Sequence, residues 1–217
     1  MNKSFGQRDL IIEAALTHIP KFGWTWKALD KGGEDLAGDV TLARRLFICE
    51  LSLAANHFSC WIDRRMKNEL GKIDLISMRV RDRIHTCVKT RIILSSAHKE
   101  AVRRFLAYLV LPHNTGLAAR ISWRSCSEMW YAIGDRSTDW NYYSKRAILV
   151  SVYSSTIMFW LSDKGDRLGD YPETWAFLDR RIDNVLNTFS LFGRVGRKLS
   201  QLPTPIIQRV KKSPDKA

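Results

Sequence analysis

Asp139, Tyr142, Tyr143 and Arg146 stand at positions i, i+3, i+4 and i+7. That spacing sets one carboxylate, two phenols and one guanidinium along a single stripe of an α-helix. Aromatic and arginine side chains gathered in this way have the composition of a protein-binding hot spot. The same four residues also read as a capping network with two core tyrosines, and spacing alone does not separate the two. Residue types that carry catalysis show no such gathering. His18, His57, His85, His98 and His113 are scattered, and the chain contains no GxSxG turn, Gly-rich phosphate loop, HExxH or Glu-x-x-His pair. Cys49, Cys60, Cys87 and Cys126 are widely spaced with no CxxC pair, so neither a zinc site nor a disulfide framework is indicated, and reduced, mostly buried thiols are expected. No catalytic residue, metal or cofactor is assigned, and the chain reads as a non-enzyme.

The stripe needs a helix to hold it. Gly134 to Asp139 supply a turn and cap-forming residues, and a long helix is predicted from Trp140 to Leu161. Its charge-free run, Ala147 to Leu161, is 15 residues long and includes serines, short of the ~20 apolar residues that cross a bilayer. Upstream, helical spacing runs from Arg8 to Phe22 and stops at Gly23; Thr25 then caps a short helix through Leu29, and a Gly-Gly break follows. This is the opening of a helix-turn-helix, and equally of many small bundles. Helices are predicted from Val40 to about Glu69, from about Ile73 to Ala97, from Lys99 to Leu111 before Pro112, and from about Thr115 to Ile133. Arg79, Arg81, Arg83, Lys89 and Arg91 read as a solvated face of the second of these. A Gly- and Asp-rich break, Lys164 to Asp170, precedes a packing helix that starts at Pro172 and runs to about Phe189. No alternation of the strand type appears, so the fold class is all-α.

Composition supplies the remaining constraint. Thirty-five basic against 22 acidic residues give a net charge of +13, which favours an anionic partner, either nucleic acid or a phospholipid surface. The eight tryptophans read chiefly as core. The tail differs in kind: Phe192, Val195, Leu199 and Leu202 recur at three- and four-residue steps among Arg194, Arg197 and Lys198. Such a basic amphipathic segment lies in the interface of an anionic membrane, at roughly 1 kcal/mol for each basic residue; a helical cap over the core with a solvated end is the alternative. Pro203 and Pro205 interrupt it. The opening MNKSFGQRD carries neither a secretory signal nor an organelle transit pattern, so a cytoplasmic protein, peripheral on the inner (cytoplasmic) membrane, is expected.

From Gly134 onward the residues resemble the lipid-binding accessory proteins of ubiquinone biosynthesis. The resemblance rests on the run from Gly134 through Asp139-Trp140-Asn141-Tyr142-Tyr143-Ser144-Lys145-Arg146, on Val152 to Thr156, and on Thr174 to Asn184. Ile12 to Leu16, His18 to Pro20, Gly23 to Thr25, Arg103-Arg104 and Leu111-Pro112 extend it over most of the chain. The family commonly carries phenylalanine, tryptophan and threonine where Trp140, Tyr142 and Ser144 stand here. This resemblance implies a TetR-like helical bundle with a helix-turn-helix remnant that does not read DNA, and a C-terminal amphipathic membrane helix. It implies three parts: residues 1–70, helix-turn-helix-like; residues 71–189, a lipid- and partner-binding core; and residues 190–217, the membrane-binding tail. It further implies an isoprenoid quinone precursor or phospholipid as ligand and a homodimer. A demethoxyubiquinone hydroxylase would be the partner, docking on Asp139, Tyr142, Tyr143 and Arg146. Trp130, Tyr131, Leu149, Tyr153, Met158 and Phe159 are candidate walls of the apolar cavity. The competing reading is a TetR-like DNA-binding transcriptional regulator; the short second and third helices, with Lys27, Asp30, Lys31, Glu34, Asp35 and Asp39, are not basic on balance and make nucleic acid a poor fit.

Overall fold

The computed structural model describes residues 3–135 and 140–185, and among the described residues all regular structure is helical. Helices α1 (Lys3–Ala15), α2 (Ile19–Phe22), α3 (Trp26–Ala37) and α4 (Leu42–Leu46) form the N-terminal layer; α5 (Leu51–Leu70), α6 (Val80–Ile93), α7 (Lys99–Leu109), α8 (Thr115–Ala132) and α9 (Trp140–Ser162) follow, and α10 is described over residues 172–185. One apolar core runs from Ile11 of α1 to Ile182 of α10. Helix α5 lies between α1 on one side and α6 and α8 on the other, with α9 packed along α8.

The helical run expected from Arg8 to Phe22 is two helices, α1 starting already at Lys3 and ending at Ala15, and α2 beginning at Ile19 after a turn. Three further local features depart from what the residue pattern predicts. The Gly-Gly pair does not break a helix. Helix α3 passes through it because Gly32 is where α3 meets α1: a Cβ there would lie 2.7 Å from the backbone nitrogen of Ala15, and one on Gly33 would lie 2.8 Å from the Asp39 carbonyl. Helix α3 ends instead at Gly38, whose φ of +65° is the left-handed conformation that glycine adopts without strain. The single helix expected from Val40 to Glu69 is two, α4 and α5, separated at Ile48 and Cys49. These residues carry φ values of +52° and +53°, and the Cys49 amide reaches back to the Arg44 carbonyl at 2.8 Å. Helix α6 begins at Val80 rather than Ile73, and residues 73–79 form a loop.

The last correction concerns Arg91, read from sequence as one of a solvated set. It is buried, and its guanidinium is fully engaged: Nε donates to Asp63 at 2.8 Å, Nη2 to Ser59 and Ser125 at 3.0 and 3.1 Å, and Nη1 to the Tyr153 hydroxyl. Asp63, also buried, accepts from Ser125 at 2.9 Å. This network joins α5, α6, α8 and α9 across the core, where a buried charge is tolerable only because it is paired and hydrogen-bonded.

Helix α10 is fastened by acidic residues from the break before it. Asp163 accepts hydrogen bonds from the Thr174 hydroxyl (2.6 Å) and amide (3.1 Å), and Asp170 accepts one from the Trp175 indole (2.7 Å). Thr174, Trp175, Leu178 and Ile182 are then buried, and Phe177 stacks on Phe159 of α9 with ring centroids 4.5 Å apart. Of the thiols, Cys87 and Cys126 are buried, Cys60 is half-buried and Cys49 is exposed, and all four are free.

Candidate functional site

Helices α6, α8, α9 and α10 leave an apolar cavity of about 520 Å³ between them. Its greasy wall is made by Val80 and Ile84, Trp130 and Ile133, Ile148, Leu149 and Val152, and Ile182 and Val185. Four polar residues, Arg83, Asp135, Ser144 and Lys145, share the lining. The Lys145 ammonium pairs with Asp135 at 2.7 Å, and the Trp130 indole donates to the Lys145 carbonyl at 3.1 Å. Arg83 donates to the carbonyls of Ile76, Met78 and Ile133 at 2.7, 2.9 and 3.2 Å. The volume and the mix of apolar wall with a few polar groups are those of a small-molecule site.

Beside the cavity lies an aromatic patch. Tyr143 is 58% exposed and Tyr142 half-buried, with their ring centroids 5.1 Å apart. Tyr143 approaches Trp123 of α8 at 6.1 Å, and the Tyr142 and Tyr131 hydroxyls share a hydrogen bond of 3.4 Å, which raises the Tyr131 phenol above its ordinary range. Beneath them Arg146 is fully buried, its guanidinium carbon 3.4 Å from the Tyr142 ring centroid and 5.1 Å from that of Tyr131. Nε of Arg146 donates to the Ser127 hydroxyl and Nη1 to the Tyr142 carbonyl, while Nη2 has no hydrogen-bond acceptor. Arg146 thus braces Tyr142 from within the bundle and does not present its charge at the surface. The tyrosines of the stripe share one patch; Asp139 lies outside the described residues, as do Phe192, Arg194, Val195, Arg197, Lys198, Leu199 and Leu202.

The six residues nominated as cavity walls separate. Trp130 and Leu149 line the cavity. Tyr131 stands in the aromatic patch. Tyr153 is buried on the core arginine, where burial pushes its phenol up to about 12. Met158 is 62% exposed, and Phe159 stacks on α10. Helical spacing found the apolar residues of α9 without their direction, because the polar residues of this helix are spread around it and no polar face orients it. Sequence reasoning missed Trp123, Arg83, Asp135 and Lys145. A signal for Trp123 existed: Trp123, Ser127 and Tyr131 recur at four-residue steps on α8 and face the stripe on α9. Among the described residues no three His, Cys, Asp or Glu side chains cluster as metal ligands would.

Comparison with known proteins bears on this half of the molecule. Residues 115–188, which build α8, α9 and α10, match the model of the COQ9 family. The chain is 29% identical over 184 residues to the mitochondrial ubiquinone biosynthesis protein COQ9 of Homo sapiens, covering 82% of this chain and 57% of that protein. It is 30% identical over 184 residues to the Rattus norvegicus protein of the same name, covering 82% of this chain and 58% of that protein. The probable coq9 protein of Dictyostelium discoideum is 24% identical over 221 residues, covering 93% and 67%. The chain therefore spans somewhat more than half the length of its mammalian relatives. Among solved structures, a TetR transcriptional regulator from Nitrosomonas europaea superposes with a TM-score of 0.65 at 18% identity, over 82% of this chain and 97% of that one; this shows the fold. The expected seat on a cytoplasmic membrane is overturned, since the relatives are named as mitochondrial proteins. The chain has a TetR-like all-helical fold, and over four-fifths of its length it is similar to the COQ9 proteins of ubiquinone biosynthesis, with the family match falling on the two helices that build the patch and on three of the four that build the cavity.

Proposed function

We propose that this protein is a non-catalytic lipid-binding accessory protein of ubiquinone biosynthesis. In this reading it takes an isoprenoid quinone precursor or a phospholipid into the α6/α8/α9/α10 cavity and presents it to a demethoxyubiquinone hydroxylase docked on the aromatic patch. The observation that carries the reading is the adjacency of the two: Lys145 lines the cavity while Tyr142, Tyr143 and Arg146, its neighbours on α9, build the patch. The physical advantage is plain. Each CH₂ exposed to water costs about 0.8 kcal/mol, so an isoprenoid tail is moved most cheaply where protein replaces water along its path. The exposed phenols supply aromatic area for an interface core. The tail segment 190–217 would hold the protein on an anionic membrane, and a homodimer is part of the same reading; the relatives' names point to a mitochondrial setting.

The regulator alternative finds less support in the geometry. Three cations of the N-terminal layer are committed to carboxylates, Arg44 to Asp30 at 2.7 Å, Arg45 to Asp39 at 2.5 Å and Lys31 to Glu34 at 2.6 Å, while Lys21 and Lys27 lie against the Phe22 ring. A DNA phosphate would have to displace each of these carboxylates, while affinity for a duplex depends on uncommitted Lys and Arg. The test is organic extraction and mass spectrometry of the purified protein, together with vesicle flotation of the full chain and of a chain ending at Phe189. Co-purified quinone precursor or phospholipid, with flotation lost on truncation, is the expected result. A lipid-free protein that ignores anionic vesicles and retards duplex DNA would sink the proposal.

A further inference from the structure

Cavity and patch share a partition. Trp130 and Lys145 line the cavity, while Tyr131 and Arg146, each the next residue in the chain, belong to the patch. The partition is tied together from within. The Trp130 indole donates to the Lys145 carbonyl at 3.1 Å, and the Lys145 ammonium lies over the Trp130 ring, 5.4 Å from its centroid. At its edge stands Asp135, a residue of the cavity lining whose side chain is only 9% exposed.

Two cations approach Asp135, one from each side of the partition. Its Oδ1 accepts from the Lys145 ammonium at 2.7 Å, and its Oδ2 lies 3.7 Å from Nη1 of Arg146. The first contact is a charge-assisted hydrogen bond; the second is about 1 Å too long to be one. Arg146 is fully buried, Nη2 has no acceptor, and the guanidinium carbon sits 3.4 Å from the Tyr142 ring centroid. A buried guanidinium in that condition gains from a closer carboxylate. Arg83, the remaining cation of the lining, is held by the carbonyls of Ile76, Met78 and Ile133.

Building on the cavity and docking reading, we infer that Asp135 couples cavity occupancy to partner docking. In the arrangement described above, Lys145 holds the carboxylate. A ligand carbonyl or hydroxyl in the cavity takes the Lys145 ammonium as its donor, Asp135 closes on Arg146, and the paired guanidinium fixes the Tyr142 and Tyr131 rings that lie over it. An interface fixed beforehand loses less freedom on docking, so the loaded protein binds the hydroxylase more tightly than the unloaded one. Linkage then requires the hydroxylase to tighten ligand binding by the same factor.

Calorimetric titration of the full chain with the hydroxylase tests this, run with and without a saturating benzoquinone that carries two isoprene units. Quenching of tryptophan fluorescence reports that the quinone is bound. The natural protein is expected to bind the hydroxylase about tenfold more tightly when the quinone is present. Asp135→Asn removes the shared charge and is expected to stay at the weaker affinity with or without quinone. Lys145→Met removes the competing cation and is expected to show the tighter affinity without any quinone, a gain that misfolding cannot imitate should the asparagine variant fail to fold. A hydroxylase affinity in the natural protein that ignores bound quinone, or falls with it, overturns the coupling and leaves the cavity and docking reading standing. So does a Lys145→Met protein that binds weakly, or a tenfold response that survives both substitutions. Failure of the quinone or the hydroxylase to bind the natural protein sinks the reading itself, and the coupling with it.

Discussion

Two arginines in this molecule each sit beside a tyrosine and an aspartate, and they serve opposite ends. Arg91 lies in the core with every nitrogen donating, to Asp63, Ser59, Ser125 and Tyr153. Arg146 lies beneath the aromatic patch with Nη2 unmatched and Asp135 at 3.7 Å, and much of its surrounding is the face of Tyr142. A saturated network has one arrangement and rigidifies the helices it joins. An arginine held partly by a π-face leaves its aromatic neighbours exposed and available, which is the condition of an interface residue.

The largest effect should come from the saturated arginine. Replacing Arg91 by Met leaves Asp63 charged, buried and unpaired, and is expected to cost about 3–5 kcal/mol of stability in urea denaturation. Replacing Asp63 by Leu in the same chain removes the orphaned charge and should recover most of that loss, because hydrophobic replacement of a whole buried pair is often neutral. A double variant as unstable as the single would mean that the network stabilises by shape rather than by charge pairing.

The second arginine predicts the reverse division between stability and binding. If the proposed docking of a hydroxylase on the patch holds, Tyr143→Ala, at an exposed position, changes stability by less than about 1 kcal/mol and weakens hydroxylase binding by about 2 kcal/mol or more, roughly thirtyfold. Calorimetric titration with the purified hydroxylase, beside a melting curve, separates the two quantities. Stability loss comparable to that of Arg91→Met, with unaltered affinity, would make the patch part of the core and erase the contrast.

How far each region could be read from sequence follows from the range of the interactions that build it. The Tyr142, Tyr143 and Arg146 stripe is local, one helix turn after another, and periodicity isolates it. The launch of α10 at Pro172 is local too. The Asp63–Arg91 pair joins residues 28 apart in the chain, and nothing in the spacing of either helix marks one of the five basic residues of that stretch as buried. The passage of α3 through Gly32 depends on the backbone of α1, again a tertiary fact. The turn at Ile48 and Cys49 is the hardest case, since neither residue favours positive φ and no glycine announces it. Helices and their order were legible for the same reason that the all-helical class was: 3.6-residue periodicity is written into each segment. The cavity was not, because its walls come from four helices and the orientation of α9 is set by its neighbours.

The smallest effect tests whether the cavity side of the molecule opens before the core. Asp163 is opposed by burial, which alone would raise its carboxyl, but the Thr174 hydroxyl, the Gly165 and Thr174 amides and the Lys99 charge outweigh it and hold the group below its ordinary 3.8. A carboxyl lowered in the folded state contributes stability that is fully present above the unfolded value and is lost as pH falls through the folded one. Asp170, lowered by the Trp175 indole and the Tyr171 amide, acts in the same direction. Both hold the start of α10, a wall of the cavity, so acidification below about pH 4 should loosen residues 172–185 before α5. Hydrogen exchange from pH 6 to pH 3, corrected for intrinsic rates, reads this helix by helix, and Asp163→Asn should blunt the acid response of α10 alone. Equal loss of protection in α5 and α10, unchanged by that substitution, would show that core and cavity wall open as one unit and that the pinned corner does not set the order.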